Sequence, residues 1–436
     1  MIFAFEDPSS IRNFTNIQDK TISNLDRFCP TPIVNAVRNR LHYQGYVQRN
    51  NIEKRLKVLS TDQVNKNYII STGVHNGPAE WCGSGTEERS VMSLLSGKYL
   101  KDLQEGRALL LIDQSFEGYH AFWLWDYFHD ECERYNIPPQ AIVYVTGNLI
   151  APEGYDKWAT QNNIQNRIKV IGYPHFEHDM YGTAFQLRFE GNPLPTLEDQ
   201  LKYKEENYDK IKSYACLNKR VRSHRVWFYN KLFESGLLDK GLVSMNKFDN
   251  HGYRLEGKLL DDKLREKSNA ILPLELYNEP NNTKGDGFYI TRFNNQVCLD
   301  SWISVVSEAH FEDSSDTLFI SEKTFKPILC AHPFIILGNR HSLAKMREMG
   351  FKTFDGLIDE SYDNMPTHER FDGIINTLKQ IHSIKHKLDW YKEVSYIIEH
   401  NLSVLKERSE INLPVAYVEL EQYYNEYFKD TLNNVL

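Results

Sequence analysis

The chain lacks any apolar run approaching the roughly 18 residues that a membrane-spanning helix needs. Its opening residues, Met1 to Pro8, have neither the basic start nor the apolar core of a secretory leader. A cytoplasmic protein with no membrane partner is therefore expected. Cysteine is sparse: Cys29, Cys82, Cys132, Cys216, Cys298 and Cys330 stand singly, with no pair at zinc-ligand or redox spacing. That pattern excludes a disulfide framework and reads as reduced core thiols. No internal repeat and no low-complexity tract interrupts the sequence. Nor is positive charge in excess, since the net charge is −8. An acidic balance argues against a chain whose whole surface grips nucleic acid. It leaves room for a local patch, because Lys219 to Arg225 holds four cations in seven residues.

What the chain does have is bulk and alternation. With 436 residues and 41% hydrophobic content it can bury large cores, and its length suits two or three domains. Residues 1–60 read as polar and irregular up to a helix near Pro32–His42. Strands are expected at 67–71, 108–113, 141–148 and 168–172, with helices at 87–96 and from about 120 to Tyr135. The run Ala108-Leu-Leu-Leu-Ile112 is continuously apolar, as in a strand buried on both faces of a parallel sheet. After a charged linker with a helix at 186–210, a second strand–helix series follows. Its strands fall at 212–217, 241–245, 302–306 and 333–337, and a helix runs from Ser223 to Ser235 before Gly236. Residues 250–285 read as irregular, with an exposed loop at Asn281–Gly287, and 371–428 as mostly helical. The expected fold is α/β, with two Rossmann-like domains and a C-terminal helical tail: 1–205, 206–370 and 371–436.

Two basic constellations lie in the second half. Asn218-Lys-Arg-Val-Arg-Ser-His-Arg225 joins a strand to a helix, so Arg220, Arg222 and Arg225 converge where guanidinium groups can grip phosphate oxygens bidentately. Phe319-Ile-Ser-Glu-Lys-Thr-Phe-Lys-Pro327 opens a short helix ahead of the strand ending in Gly338. There Glu322 suits the paired hydroxyls of a ribose, while Lys323 and Lys326 suit phosphates, and a helix start adds its own affinity for anions. Because Pro327 is tolerated only in a first turn, that helix is expected to begin at Thr324. In the first half, Gly73-Val-His75 and Asp113-x-x-x-Glu117-Gly-x-His120 both follow apolar strands. A hydroxyl acceptor needs a general base, for which Glu117 is the first choice, then Asp113, His75 and His120. Asp261-Asp262 and Asp313-Ser-Ser-Asp316 read as solvated loops, and no metal site is expected.

The segment from Val305-Val-Ser-Glu308 through Phe319-Ile-Ser-Glu-Lys323 to Phe334-Ile-Ile-Leu-Gly338 resembles the donor-binding half of the family 10 glycosyltransferases, the α-1,3-fucosyltransferases. The likeness spans roughly residues 212–360. It implies that Glu322 and Lys323 hold the ribose and phosphates of a sugar nucleotide, and that Arg225, ahead of Phe228-Tyr229 and Leu232, contacts the pyrophosphate. Two positions depart from that pattern. Ser307-Glu308-Ala309 replaces the family's Glu-Asn, putting Glu308 at a ribose or base contact, and Phe319 stands where tyrosine is common. The longer pattern from Leu217 to Arg225 with Ser321 to Pro327 looks like phage and bacterial glycosyltransferase-like proteins, some of which modify hydroxymethylated DNA bases.

These readings together give the expectation of a GT-B-type glycosyltransferase. It would move a sugar from a nucleoside diphosphate to a hydroxyl of a glycan or small molecule, with duplex DNA as a further acceptor. Inversion is implied by the fucosyltransferase resemblance. No cofactor and no metal are expected, because the basic groups neutralise the leaving diphosphate. The rival class is a non-catalytic nucleic-acid-binding or scaffold protein that keeps the fold.

Overall fold

The computed structural model describes residues 1–5, 57–60, 67–73, 92, 95, 97–115, 117–118, 123–177, 180, 194–218, 220–248, 253–276, 295–311, 316–410 and 415–433. It is an α/β protein with parallel sheets. The expected helices at 32–42 and 87–96, apart from Met92 and Leu95, and the loop at 281–287 lie outside these residues. Among the described residues no helix is long and apolar enough to cross a membrane. The chain forms two compact units, Met1–Asp179 with Arg408–Leu436, and Met180–Glu407.

The first unit is built on a six-stranded sheet. Its strands are β1 (Ile2–Phe5), β2 (Lys57–Ser60), β3 (Tyr68–Gly73), β4 (Ala108–Gln114), β5 (Ile142–Thr146) and β6 (Lys169–Gly172), in the order β2-β1-β3-β4-β5-β6. Every pairing is parallel. The segment read as irregular before residue 60 therefore contributes two strands. Their four-residue length gives too short a pattern to stand out from a polar background.

β3, β4, β5 and β6 advance in one direction. Right-handed crossovers then bring α1 (Gly97–Gln104), α2 (Leu124–Arg134) and α3 (Ala151–Gln161) to one face. On that face Ile70, Leu110, Ile112 and Tyr144 pack with Leu103, Trp125, Phe128 and Tyr155. The alternate residues Ile69, Leu109, Leu111, Val143, Val145 and Ile171 point the other way. They are covered by Ala416, Tyr417, Leu420 and Phe428 of the C-terminal helix Val415–Asn433, numbered α12 in chain order. Burial on both faces is why Ala108–Ile112 is apolar at every position. The Tyr424 hydroxyl donates to the Asn67 carbonyl (2.6 Å) and that of Tyr423 to the Gln140 carbonyl (2.7 Å), which pins this helix in register with the sheet.

The second unit carries β7 (Tyr214–Asn218), β8 (Gly241–Met245), β11 (Ser304–Ser307) and β12 (Phe334–Leu337) in the order β12-β11-β7-β8, again all parallel. Between β8 and β11 the stretch expected to be irregular holds a hairpin, β9 (Arg254–Leu255) with β10 (Lys258–Leu259). Its two-residue turn places both Glu256 (φ 47) and Gly257 (φ 77) in the left-handed region, as a hairpin turn of matching twist requires. A helix, Asp262–Asn269, follows, capped by Asp261 through the Leu264 N–H (2.8 Å).

The units also divide at other places than residues 205 and 370. Helix α4 (Leu197–Glu206) belongs to the second unit, because the Gln200 amide donates to the Cys330 carbonyl (2.8 Å) and Lys204 Nζ to that of Cys298 (3.0 Å). The helical stretch after 370 is shared. Thr367–Ser383 and most of Lys387–Glu410 complete the second unit, and α12 completes the first.

Gly241 stands opposite Tyr214 in the β7–β8 ladder, and a Cβ there would lie 2.4 Å from the phenol ring. That ring is fully buried and its hydroxyl donates to the Leu237 carbonyl (3.0 Å), so it cannot yield. Gly241→Ala is expected to destabilise the second unit by about 1–3 kcal/mol, measured as a lower midpoint in urea unfolding.

Candidate functional site

In the second sheet the chain runs from β7 outward to β8 on one side, whereas β11 and β12 lie on the other. The strand order therefore reverses between β7 and β11. In open α/β sheets such a switch point opens a crevice at the carboxyl ends of the strands, where ligands collect. The loop after β7 supplies Arg220 and Arg222, and the helix Ser223–Glu234 (α5 in chain order) supplies His224 and Arg225. The loop after β11 supplies Glu308 and His310. The helix Glu322–Leu329 (α8 in chain order) supplies Glu322, Lys323 and Lys326. Both motifs picked out in the sequence thus meet at one strand-end edge.

The organising group is Glu308. It is fully buried, and its carboxylate accepts from the Ser321 N–H (3.1 Å), the Thr324 hydroxyl (2.7 Å), the Ala309 N–H (3.3 Å) and the Ser321 hydroxyl. These bonds set the helix start. Ser321, in extended conformation, is the N-cap and α8 begins at Glu322, not at Thr324 as expected. Pro327 is consequently inside the helix, where its missing N–H leaves the Lys323 carbonyl without its i+4 partner. The Glu308 anchorage of Ser321 and Thr324 holds the first turn regardless.

Arg225 is buried as well. Its guanidinium donates to the main-chain carbonyls of Arg220 (3.1 Å), Ser307 (3.0 Å) and Glu308 (3.1 Å), bracing the two strand-end loops against each other. Burial, then the neighbouring Arg222 charge, bring its pKa down to about 10. His224 Nε2 donates to the Glu308 carbonyl at the same edge (3.1 Å) and stacks on Phe311, with ring centroids 5.6 Å apart. Phe319, expected at the donor, is buried too. Its N–H donates to Asn339 Oδ1 (3.3 Å) and its ring meets the edge of His310 at 5.6 Å. Glu308, Arg225 and Phe319 therefore shape the site from behind.

The accessible groups are others. Arg220 is exposed, and Arg222, Glu322, Lys323 and Lys326 are half-buried. Arg222 donates to the Ala309 carbonyl (2.5 Å), and Lys323 Nζ to Ser321 Oγ (3.0 Å) and Glu322 Oε1 (2.8 Å). Burial pushes the Glu322 carboxyl up, but the Lys323 and Lys326 charges outweigh it and hold the group below the usual carboxylate range. Burial lowers Lys326, with Glu322 partly restoring it. Sequence reading missed His310, because only the fold brings it beside Arg222 and Lys323.

A second feature marks this edge. Asn218 Oδ1, Ser307 Oγ and Arg225 Nε are buried polar atoms with no hydrogen-bond partner among the described residues. Continuing the register Val305↔Cys216 sets Ser307 level with Asn218, so two of these atoms flank the switch point itself. Orphaned buried polar atoms are rare, and two at the ends of adjacent strands with a third on the helix that follows β7 point to a polar occupant.

In the first unit, Asp113 falls inside β4 and is fully buried, with Oδ1 accepting from the Ser115 N–H (2.9 Å). That is a turn-capping role. Glu117 is half-buried, and its carbonyl accepts from the Gly147 N–H (2.9 Å), fixing the backbone at the ends of β4 and β5. His75 and His120 lie outside the described residues.

Because every partner of the Glu308 carboxylate is a donor, Glu308→Gln turns an amide N–H toward one of them. The expected cost is about 1–3 kcal/mol in chemical denaturation, with Glu308→Ala costing more because all of those donors lose their acceptor.

Comparison of the sequence with known protein families finds no match, and comparison with curated proteins finds none either. Among solved structures the chain is similar to a crystal structure of an α1,3-fucosyltransferase, with 11% sequence identity and a TM-score of 0.31 over 91% of this chain and 87% of that one. A likeness of that order assigns no activity.

Proposed function

We propose that the switch point of the second unit binds the diphosphate of a sugar nucleotide and that the protein is a glycosyltransferase. The observation that carries this reading is the cationic edge itself. Arg220 is exposed and Arg222, Lys323 and Lys326 are half-buried at the strand ends, with Glu322 beside them. Buried Asn218, Ser307 and Arg225 add orphaned polar atoms behind them. A diphosphate matches this arrangement because its oxygens accept from guanidinium and ammonium groups, and charge-assisted bonds of this kind are the strong ones. Glu322, kept ionised by its lysine neighbours, is an acceptor for a vicinal diol such as a ribose edge. The sequence resemblance of residues 212–360 points to the same ligand class.

In a displacement at the anomeric carbon, negative charge grows on the departing diphosphate. Fixed cations that meet that charge lower the barrier more than they favour the ground state. Arg222 and Lys323 are suited to this work, since Ala309 and Ser321 already orient them. Lys326, half-buried in the next turn of the helix, adds to the local potential. Arg225 and Glu308 act as positioning residues. We assign activation of the acceptor hydroxyl to Glu117, the accessible carboxylate among the strand-end acids of the first unit. The acceptor is a glycan or a small molecule.

Full-length protein should be stabilised against heat by at least one of UDP, GDP, ADP and CDP, by about 2.7 kcal/mol at a hundredfold excess over Kd. Lys323→Ala and Arg222→Ala should each weaken that binding by about tenfold or more, as expected on losing a charge-assisted bond. Unchanged unfolding with every nucleotide would overturn the reading. Glu117→Gln should leave nucleotide binding intact while lowering turnover of a sugar nucleotide, measured by release of its nucleoside diphosphate.

A further inference from the structure

We infer that His310 is an anion-contacting residue of the strand-end site and takes up a proton when a sugar nucleotide binds beside it. This rests on the reading of that site as a diphosphate site.

His310 lies just beyond the end of β11, and its neighbours come from every element at the switch point. Arg222, at the start of α5, donates to the carbonyl of Ala309, the residue immediately before it. Lys323, at the start of α8, acts on it electrostatically, and Phe319 closes one side with an edge contact at 5.6 Å. His224, Glu308 and Glu322 complete the titratable groups of this edge. Other histidines in this unit are hydrogen-bonded: His224 with the Glu308 carbonyl (3.1 Å), His332 with the Ser301 hydroxyl (3.2 Å), His382 with that of Ser213 (2.8 Å). The half-buried His310 ring makes no hydrogen bond to a described residue. An imidazole with no hydrogen-bond partner among the described residues, in the field of two cations, is a group suited to meet an acceptor.

Its charge state follows from the same surroundings. Burial, then the Arg222 and Lys323 charges, lower it to about 4, so it is neutral at physiological pH. A diphosphate laid against Arg222 and Lys323 cancels those charges and supplies an acceptor. An opposite charge at contact distance raises such a pKa by about 1–3 units, which carries His310 from about 4 toward the range of pH 5 to 7. A group whose pKa is higher in the complex than in the free protein makes binding tighten as pH falls through the complex value. The gain is complete only below the free value, near 4.

The test uses UDP-glucose and GDP-mannose, whose diphosphates are diesters and have no ionisation of their own between pH 5 and 8. Calorimetric titration of the full chain at pH 5.5, 6.5 and 7.5, in two buffers of different ionisation enthalpy, reads the protons taken up on binding. The expected result is uptake approaching one proton per site at pH 5.5 and several-fold tighter binding there than at pH 7.5. His310→Asn should abolish both the proton uptake and the pH dependence of binding, its thermal unfolding midpoint serving as the check on folding. His310→Gln is the second variant, and the imidazole proton resonances of the wild type report the same titration directly. Binding without proton uptake, or uptake undiminished in a folded His310 variant, overturns the role of His310 and leaves the diphosphate reading standing. No binding of either sugar nucleotide, together with no effect of any nucleoside diphosphate on unfolding, overturns both.

Discussion

The geometry of the second unit depends on one buried carboxylate. Glu308 lies where β11 runs out, is removed from water, and collects donors from Ala309, Ser321 and Thr324. A buried charge is expensive unless nearly every lone pair is used, and here they are. Its main chain is held as firmly as its side chain, since Arg225 and His224 both engage the Glu308 carbonyl. One residue thus fixes the exit of a strand, the entry of a helix and the spacing of the arginine loop. Arg370 performs the same task one strand along. It is buried, donating to the Gly338 carbonyl (2.6 Å) at the end of β12 with its guanidinium over the Phe311 ring at 4.5 Å.

This arrangement explains why function could be approached from sequence only in part. Strands buried on both faces announce themselves through unbroken apolar runs, so Ala108–Gln114 and Phe334–Leu337 were legible, as were the half-buried edge strand Gly241–Met245 and the helix after Ser223. Short strands on a polar background were not: Ile2–Phe5 and Lys57–Ser60 gain their stability from pairing with each other and with β3, a non-local property. The hairpin at 254–259 was equally silent, because its turn is Glu-Gly rather than a stronger turn pair, and its strands have two residues each.

At the site, residue type was legible and role was not. Arginine, glutamate and lysine clustered around two strand ends suggested an anion site, and the fold brings them to one edge. Whether a given arginine meets a ligand or a carbonyl depends on burial, which local sequence does not encode. Arg222 and Arg225 differ by a single helical turn, yet only the latter is sealed. The same holds for acids: Glu308 and Glu322 look alike in sequence, but one is an internal strut and the other lies between lysines. The helix start shifted from Thr324 to Glu322 for a related reason. A proline rule read locally was overruled by the distant carboxylate that captures Ser321.

The covering of the first sheet by α12 has a consequence for biosynthesis. Strands β3 to β6 and their three helices emerge from the ribosome early, yet among the described residues Ile69, Leu109, Leu111, Val143, Val145 and Ile171 pack against Ala416, Tyr417, Leu420 and Phe428 of the C-terminal helix. Domains otherwise tend to complete themselves in order of synthesis. Here a half-covered sheet must persist, with one greasy face open, while more than two hundred further residues are translated. During that interval the nascent chain offers a surface that chaperones recognise, and maturation of the first unit is timed by the appearance of the last helix.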